Sequence, residues 1–226
     1  MNPNSGTVAY RTAKAVVGRL LFAAYDVDIE SRERVPHVGA AILCPNHRSF
    51  MDSLFVPAAV DRPVAFLAKA EYFDSRRTAW LFRSTGQIPV RRGTLAGARA
   101  AMTAAREVLV GGGIVGIYPE GTRSRDGLLH RGNLGPARLA LETGAPLVPI
   151  GLTGTEEVQP PGARLPRTGG RIGVRFGRPI WADARPSNAK AHVRELTEQL
   201  MGEIADLSGQ EYAPTSPATS NSLVSV

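Results

Sequence analysis

A chain of 226 residues, 43% hydrophobic and 21% charged, has the size and composition of one globular domain with a full core. Its single cysteine excludes a disulfide framework or a multi-cysteine metal cluster, and its four histidines show no ligand spacing, so no metal is expected. The net charge of +7 is concentrated between Arg62 and Arg138, where 13 Lys/Arg stand against 5 Asp/Glu; that suits an anionic partner, while 6% aromatic content and no nucleic-acid-binding motif argue against nucleic acid.

Residues 1–6 read as disordered. From Thr7 to Tyr25 the apolar spacing is helical, with Val8, Val16, Leu20 and Ala23-Ala24 on one side and Arg11, Lys14 and Arg19 interrupting it. Those charges argue against a span or a signal peptide, and no other apolar run approaches the roughly 20 residues a span needs. Two placements fit: in a membrane interface, basic face toward anionic headgroups, or packed on the domain as a first helix. Asp26 to Gly39 is a charged connection with room for a short strand. Residues 1–34 therefore read as an amphipathic segment and connection ahead of a domain over 35–207.

Ala40–Cys44 reads as a buried strand that Pro45-Asn46 breaks, and a helix follows from about Phe50 to Val60 with Ser49 as N-cap. Pro63–Lys69 is a second buried strand, Arg76–Thr85 a helix ending near Gly86, and Gln87–Arg91 a third strand. Thr94–Val110 is the clearest helix: Leu95, Ala98, Met102, Ala105 and Leu109 step by three and four, Thr94 caps the start and Gly111 ends it. A fourth strand runs from Gly113 to Tyr118. The run Gly-Gly-Gly-Ile-Val-Gly at 111–116 matches G-x-G-x-x-G literally, yet it closes a helix and enters a strand, whereas dinucleotide binding needs strand, turn, then helix. NAD binding is rejected on that order.

Leu134–Thr143 is helical with Gly144 as its stop, Pro146–Leu152 is a fifth strand, and Thr153–Gly170 is a long loop rich in Gly and Pro. Arg171–Phe176 makes another strand. Pro186-Ser187 opens a last helix whose core stripe is Val193, Leu196, Leu200, Ile204 and Leu207. Residues 208–226 read as a disordered tail. Strands alternating with helices predict the α/β class: a single-domain sandwich of a mostly parallel sheet with flanking helices.

Chemistry centres on Pro45-Asn46-His47-Arg48-Ser49-Phe50-Met51-Asp52. Histidine titrates near neutrality and can take a proton from an alcohol, and a carboxylate beside it fixes its tautomer. On a continuous helix five residues turn through about 500°, leaving His47 and Asp52 about 140° apart. They can meet only if His47 precedes the helix and Asp52 sits in its first turn. A plainer reading makes Asp52 a helix cap within Ser49-Phe50-Met51-Asp52. No G-x-S-x-G elbow is present and Cys44 lies in an apolar run, so nothing suggests an acyl-enzyme nucleophile.

Downstream stand Gly86-Gln87-Ile88-Pro89-Val90-Arg91-Arg92, then Tyr118-Pro119-Glu120-Gly121-Thr122-Arg123-Ser124, then Leu147-Val148-Pro149-Ile150. With the His47 block, this order and spacing resembles the four motifs of the glycerolipid acyltransferases, the family that includes 1-acylglycerol-3-phosphate acyltransferase. The resemblance runs from about Val35 to Arg178. It implies that His47, with Asp52, deprotonates an acceptor hydroxyl that attacks an acyl thioester directly. It also implies substrate binding by Arg92, Glu120, Gly121, Thr122 and Arg123, and by Lys69 in a matching Lys69-Ala70-Glu71 block. Guanidinium forks suit phosphate, and Gly121 permits close backbone approach. Glu120, odd in an anion site, is expected to hold Arg123, Arg92 or His47. Val148, Pro149 and Ile150 are expected to wall an acyl channel. This sequence departs from the family at Pro89 and Arg91, which bears on the acceptor headgroup.

The reading that follows is an acyltransferase making phosphatidate from 1-acyl-glycerol-3-phosphate, with acyl-CoA or acyl-carrier protein as co-substrate and no cofactor. It would sit peripherally on the cytoplasmic face of a membrane, against anionic lipid. Two alternatives stand beside it: another lysophospholipid or glycolipid acceptor, and a non-catalytic protein that binds anionic lipid. The last needs neither an imidazole nor its carboxylate.

Overall fold

The computed structural model describes residues 8–75, 79–84, 87–91, 93–163, 165–184 and 186–213. In chain order they form α1 (Val8–Ala24), β1 (Asp26–Glu30), a 3-10 turn (Arg32–Arg34), β2 (Ala41–Pro45), α2 (Asp52–Ala59), β3 (Val64–Lys69), α3 (Glu71–Asp74), α4 (Ala79–Ser84) and β4 (Ile88–Val90). Then come α5 (Leu95–Val110), β5 (Ile114–Gly116), β6 (Leu129–His130), α6 (Gly135–Thr143), β7 (Leu147–Thr153), α7 (Thr155–Val158), β8 (Arg171–Phe176), α8 (Ala189–Ser208) and β9 (Tyr212–Ala213). The α/β sandwich expected from the alternation is what forms.

Seven strands make one sheet in the order β1-β8-β7-β2-β5-β3-β4. Every pairing is parallel except β7 with β8. Strand β2 is buried along its whole length, and its alternation divides the core. Leu43 faces a cluster with Phe55 and Val56 of α2, Leu21 of α1 and Tyr25 just after that helix. Ile42 and Cys44 face a second cluster with Ala101, Ala105 and Leu109 of α5 and Leu200, Met201 and Ile204 of α8. Burial pushes the Cys44 thiol far up, so it is an inert core group. Between β3 and β5 the packing leaves no room for a side chain at Gly116: a Cβ there would lie 2.5 Å from the Phe66 ring.

Several boundaries differ from expectation. Asp26–Glu30, expected as a charged connection with room for a short strand, is an edge strand paired along Arg171–Arg175. The helix expected over 76–85 is preceded by the short α3, with 76–78 and 85 outside the described residues. The loop over 153–170 contains α7. Helix α2 starts at Asp52 with Met51 as N-cap, because Ser49 Oγ is used elsewhere: it accepts from Met51 N–H and donates to the Gln159 carbonyl.

Of the tail expected to be disordered over 208–226, residues 208–213 are structured, and 214–226 lie outside the described residues. β9 pairs with β6, and the Leu129 N–H donates to the Glu211 carbonyl. Backbone groups from a distant loop decide this, and composition is blind to them.

Helix α1 docks on α2 and β3. Tyr10, Leu21 and Tyr25 are buried, the Tyr10 hydroxyl accepts from Val64 N–H, and Lys14 donates to the Val60 and Arg62 carbonyls. Burial lowers the Lys14 pKa to about 8. The apolar face read from the sequence points the other way: Val16 and Leu20 are 51% and 65% exposed, with Phe22 beside them at 44%. The helix is apolar on two faces, and only one is covered. Among the described residues no helix is long and apolar enough to cross a membrane.

Candidate active site

In an open parallel sheet, groups gather beyond the carboxyl ends of the strands. Here β2 and its neighbour β5 deliver two loops to that edge, 46–51 and 117–128. Asn46 turns the chain off β2 while its side chain continues the ladder, donating to the Leu152 carbonyl at 3.0 Å and accepting from Leu152 N–H at 2.7 Å. His47 therefore leaves the sheet from a rigid base.

The geometric condition for pairing is met, with His47 ahead of α2 and Asp52 its first residue. Asp52 Oδ2 lies 2.8 Å from His47 Nδ1 and also accepts from Arg48 N–H and Ser49 N–H, each at 2.8 Å. An oxygen already accepting two backbone N–H groups is an acceptor, so Nδ1 carries a proton, and the tautomer this selects for a neutral ring leaves the lone pair on Nε2. Nε2 makes no hydrogen bond among the described residues, and the side chain is 13% exposed. Asp52 thus closes the turn ahead of α2 through the Arg48 and Ser49 N–H groups and pairs with His47 at once, while the N-cap position itself is Met51, with no side-chain cap bond. Asp52 Oδ1 is buried without a partner.

Tyr118 covers one face of His47, centroids 3.7 Å apart and planes 14° from parallel. Its hydroxyl meets Ser53 Oγ at 2.8 Å. Burial, then the nearby Asp52, pushes the Tyr118 pKa well above the ordinary phenol.

The loop after β5 is sewn to the His47 turn by Ser124 N–H, which donates to the His47 carbonyl at 2.8 Å. Gly121 sits at φ +72°, where other residues are strained, and its N–H closes a turn on the Tyr118 carbonyl. Glu120 is buried; its Oε2 accepts from His130 N–H at 3.0 Å and Oε1 has no partner. It makes no ion pair with Arg123, and Arg92 lies outside the described residues; of the three expected partners it meets His47, through the backbone N–H. Burial pushes the Glu120 carboxyl up to about 7, only partly offset by the His130 and His47 backbone N–H groups. Arg123 is half-buried with no ion pair among the described residues, and Gly121 and Thr122 are exposed beside it. Arg123 directly precedes Ser124, the residue bonded to the His47 carbonyl.

The remaining expected residues separate. Lys69 is exposed at the end of β3. Arg92 and Gly86 lie outside the described residues. Val148, Pro149 and Ile150 are buried in β7, with Val148 and Ile150 at 0% exposure and Pro149 covered by Gly177. Side chains without surface cannot wall a channel, so that assignment is corrected: these residues are sheet core. Three residues after His47 in the chain begins an aromatic cluster. Phe50, 39% exposed, meets Tyr72 at 6.4 Å, and Tyr72 stacks on Phe82 at 5.0 Å.

Sequence reasoning assigned no role to Tyr118 and missed the Asn46–Gln210 bridge altogether. Gln210 Oε1 accepts from Asn46 at 2.6 Å and its Nε2 donates to the Gly127 carbonyl at 2.8 Å, tying both loops to the chain after α8. Tyr118 was legible as the aromatic opening its motif; Gln210 carried no local signal.

The acyltransferase family model matches residues 26–153. Among curated proteins, the chloroplastic 1-acyl-sn-glycerol-3-phosphate acyltransferase LPAT1 of Arabidopsis thaliana is 28% identical over 179 residues, which cover 77% of this chain and 50% of that protein. The 1-acyl-sn-glycerol-3-phosphate acyltransferase of Borreliella burgdorferi is 30% identical over 136 residues, 60% of this chain and 54% of its own. The chain thus spans about half the length of these relatives. Among solved structures, the 1-acyl-sn-glycerophosphate acyltransferase PlsC of Thermotoga maritima superposes with a TM-score of 0.68 at 26% identity, covering 86% of this chain and 80% of that one.

Proposed function

We propose that this chain, which belongs to the acyltransferase family, moves a fatty acyl group from an acyl thioester to the free hydroxyl of 1-acyl-glycerol-3-phosphate, with His47 as general base. The observation that carries the reading is the His47–Asp52 pair at 2.8 Å, its Nε2 without a hydrogen bond among the described residues, on a turn bonded to the loop that holds Arg123. Nε2 takes the hydroxyl proton as the acceptor oxygen attacks the thioester carbonyl. The tetrahedral intermediate expels the thiolate, which takes that proton back from the imidazolium, leaving ester and thiol. Asp52 stabilises the imidazolium in between. Phe50, Tyr72 and Phe82 offer apolar surface for an acyl chain. The test is turnover by purified protein on a panel of lysophospholipids with one acyl-CoA. Lysophosphatidate should be the best acceptor; turnover confined to a neutral lysolipid would overturn the acceptor assignment.

Arg123 is read as a contact to the acceptor's phosphate. Losing a charge-assisted bond worth about 2 kcal/mol should lower acceptor kcat/KM about 30-fold in Arg123→Ala. Separate KM values decide it: a rise for the donor alone would place Arg123 on the thioester's own phosphates. Arg92 is proposed for the same role from its motif, and Arg92→Lys should recover only part of an Arg92→Ala loss because the fork is gone.

Peripheral attachment on the cytoplasmic side is proposed through the uncovered face of α1. Truncation at Asp26 would strip Tyr10, Leu21 and Tyr25 from the core, so surface substitutions are the cleaner probe. Val16→Ser, Leu20→Ser and Phe22→Ser together should cut binding to anionic vesicles at least tenfold while Tm stays within a few degrees. Unchanged vesicle binding would move the lipid-facing surface to the basic middle of the chain.

A further inference from the structure

We propose that Tyr118 is a positioning residue for the reaction, holding the His47 ring in the plane that aims Nε2 at the acceptor; this rests on His47 being the base. One hydrogen bond, Nδ1 to Asp52 Oδ2, fixes a single atom of the imidazole and leaves the ring free to tilt about it. The stack removes that freedom: 3.7 Å between centroids at 14° is a face-to-face contact that defines the plane.

The tyrosine is itself held at three points. Its hydroxyl bonds Ser53, which follows Asp52 in the first turn of α2. Its carbonyl accepts from Gly121 N–H, and Phe66 backs the ring with centroids 5.4 Å apart. Phe66 reaches that position because Gly116 lacks a side chain. Both supports of the base, Asp52 at Nδ1 and Tyr118 at the ring face, are therefore anchored on one helical turn and move as a unit. The π-face gives a second gain: once Nε2 takes the proton, the imidazolium lies against an aromatic ring, an attraction the neutral form lacks. The phenol is no proton donor in the reaction, since its oxygen is engaged by Ser53 and holds its proton tightly.

The test compares an aromatic with an aliphatic ring substitute. Tyr118→Phe keeps the stack and should keep kcat within about twofold, whereas Tyr118→Leu should lower kcat about tenfold, with both KM values within about twofold. The ring-proton resonances of His47 should be shifted upfield in the wild type and Tyr118→Phe and should lose that shift in Tyr118→Leu. Should Tyr118→Leu not fold, Tyr118→Met makes the same comparison, and the wild-type resonances need no variant. Equal kcat for the Phe and Leu variants, a loss carried by KM, or unshifted wild-type resonances would overturn the inference. His47→Ala run in parallel separates the levels: if it is inactive while the Phe and Leu variants match, only the role of Tyr118 falls. If it is active, the base assignment falls and takes this inference with it.

Discussion

His47→Ala should lose acyl transfer by a hundred- to ten-thousand-fold, on the order of what a general base contributes, and should still fold. Removing the ring gives up the stack on Tyr118, worth about 1 kcal/mol, or about 2–4 °C in Tm for a chain of this length. Asp52 is not orphaned by the change, because Arg48 and Ser49 N–H groups still donate to its Oδ2. His47→Gln is the companion variant: its amide can reach toward Asp52 but cannot take a proton at neutral pH. Circular dichroism and Tm establish folding; kcat with saturating lysophosphatidate and acyl-CoA reads the effect. Near-normal turnover in a folded variant of either kind would sink the assignment of the base.

Asp52→Asn should lower kcat about a hundredfold and reduce stability as well. In many His–carboxylate pairs the amide can flip and force the wrong tautomer. Here the flip is opposed, since Arg48 and Ser49 N–H groups both point at the position of Oδ2 and demand an acceptor. The asparagine oxygen should therefore stay in place, keeping the tautomer and losing only the charge that stabilises the imidazolium. The amide NH2 then falls where Oδ1 is buried without a partner, an unsatisfied donor costing about 1–3 kcal/mol. Asp52→Ala removes the acceptor from all three donors and should be worse on both counts. Turnover and Tm are measured together: an Asn variant that loses only stability would reduce Asp52 to a cap.

The sequence by itself determined the class of fold and the chemistry of one turn. β2 is readable because it is apolar without interruption, as a strand buried on both faces must be, and α5 because Leu95 to Leu109 repeats at helical spacing behind a Thr94 side chain that accepts from Gly97 N–H. The His47–Asp52 pairing follows from spacing plus a strand-to-helix turn, so it is local and legible. Whatever depends on chain-distant neighbours was not. Val148 and Ile150 look like any apolar motif until β7 is flanked by β2 and β8 and loses all surface. The tail composition favours disorder, yet Gln210 finds Asn46 and Gly127, and backbone pairing at Leu129 outweighs local preference as far as Ala213. The face of α1 that meets the core was set by the partner helix, because a helix apolar on two faces does not say which one α2 will cover. Tyr118 stood in a readable motif, but only the fold laid its ring on His47, 71 positions earlier in the chain. Local periodicity and turn chemistry act over a few residues and so survive in the sequence; register, burial and stacking are decided by contacts that exist only once the sheet has assembled.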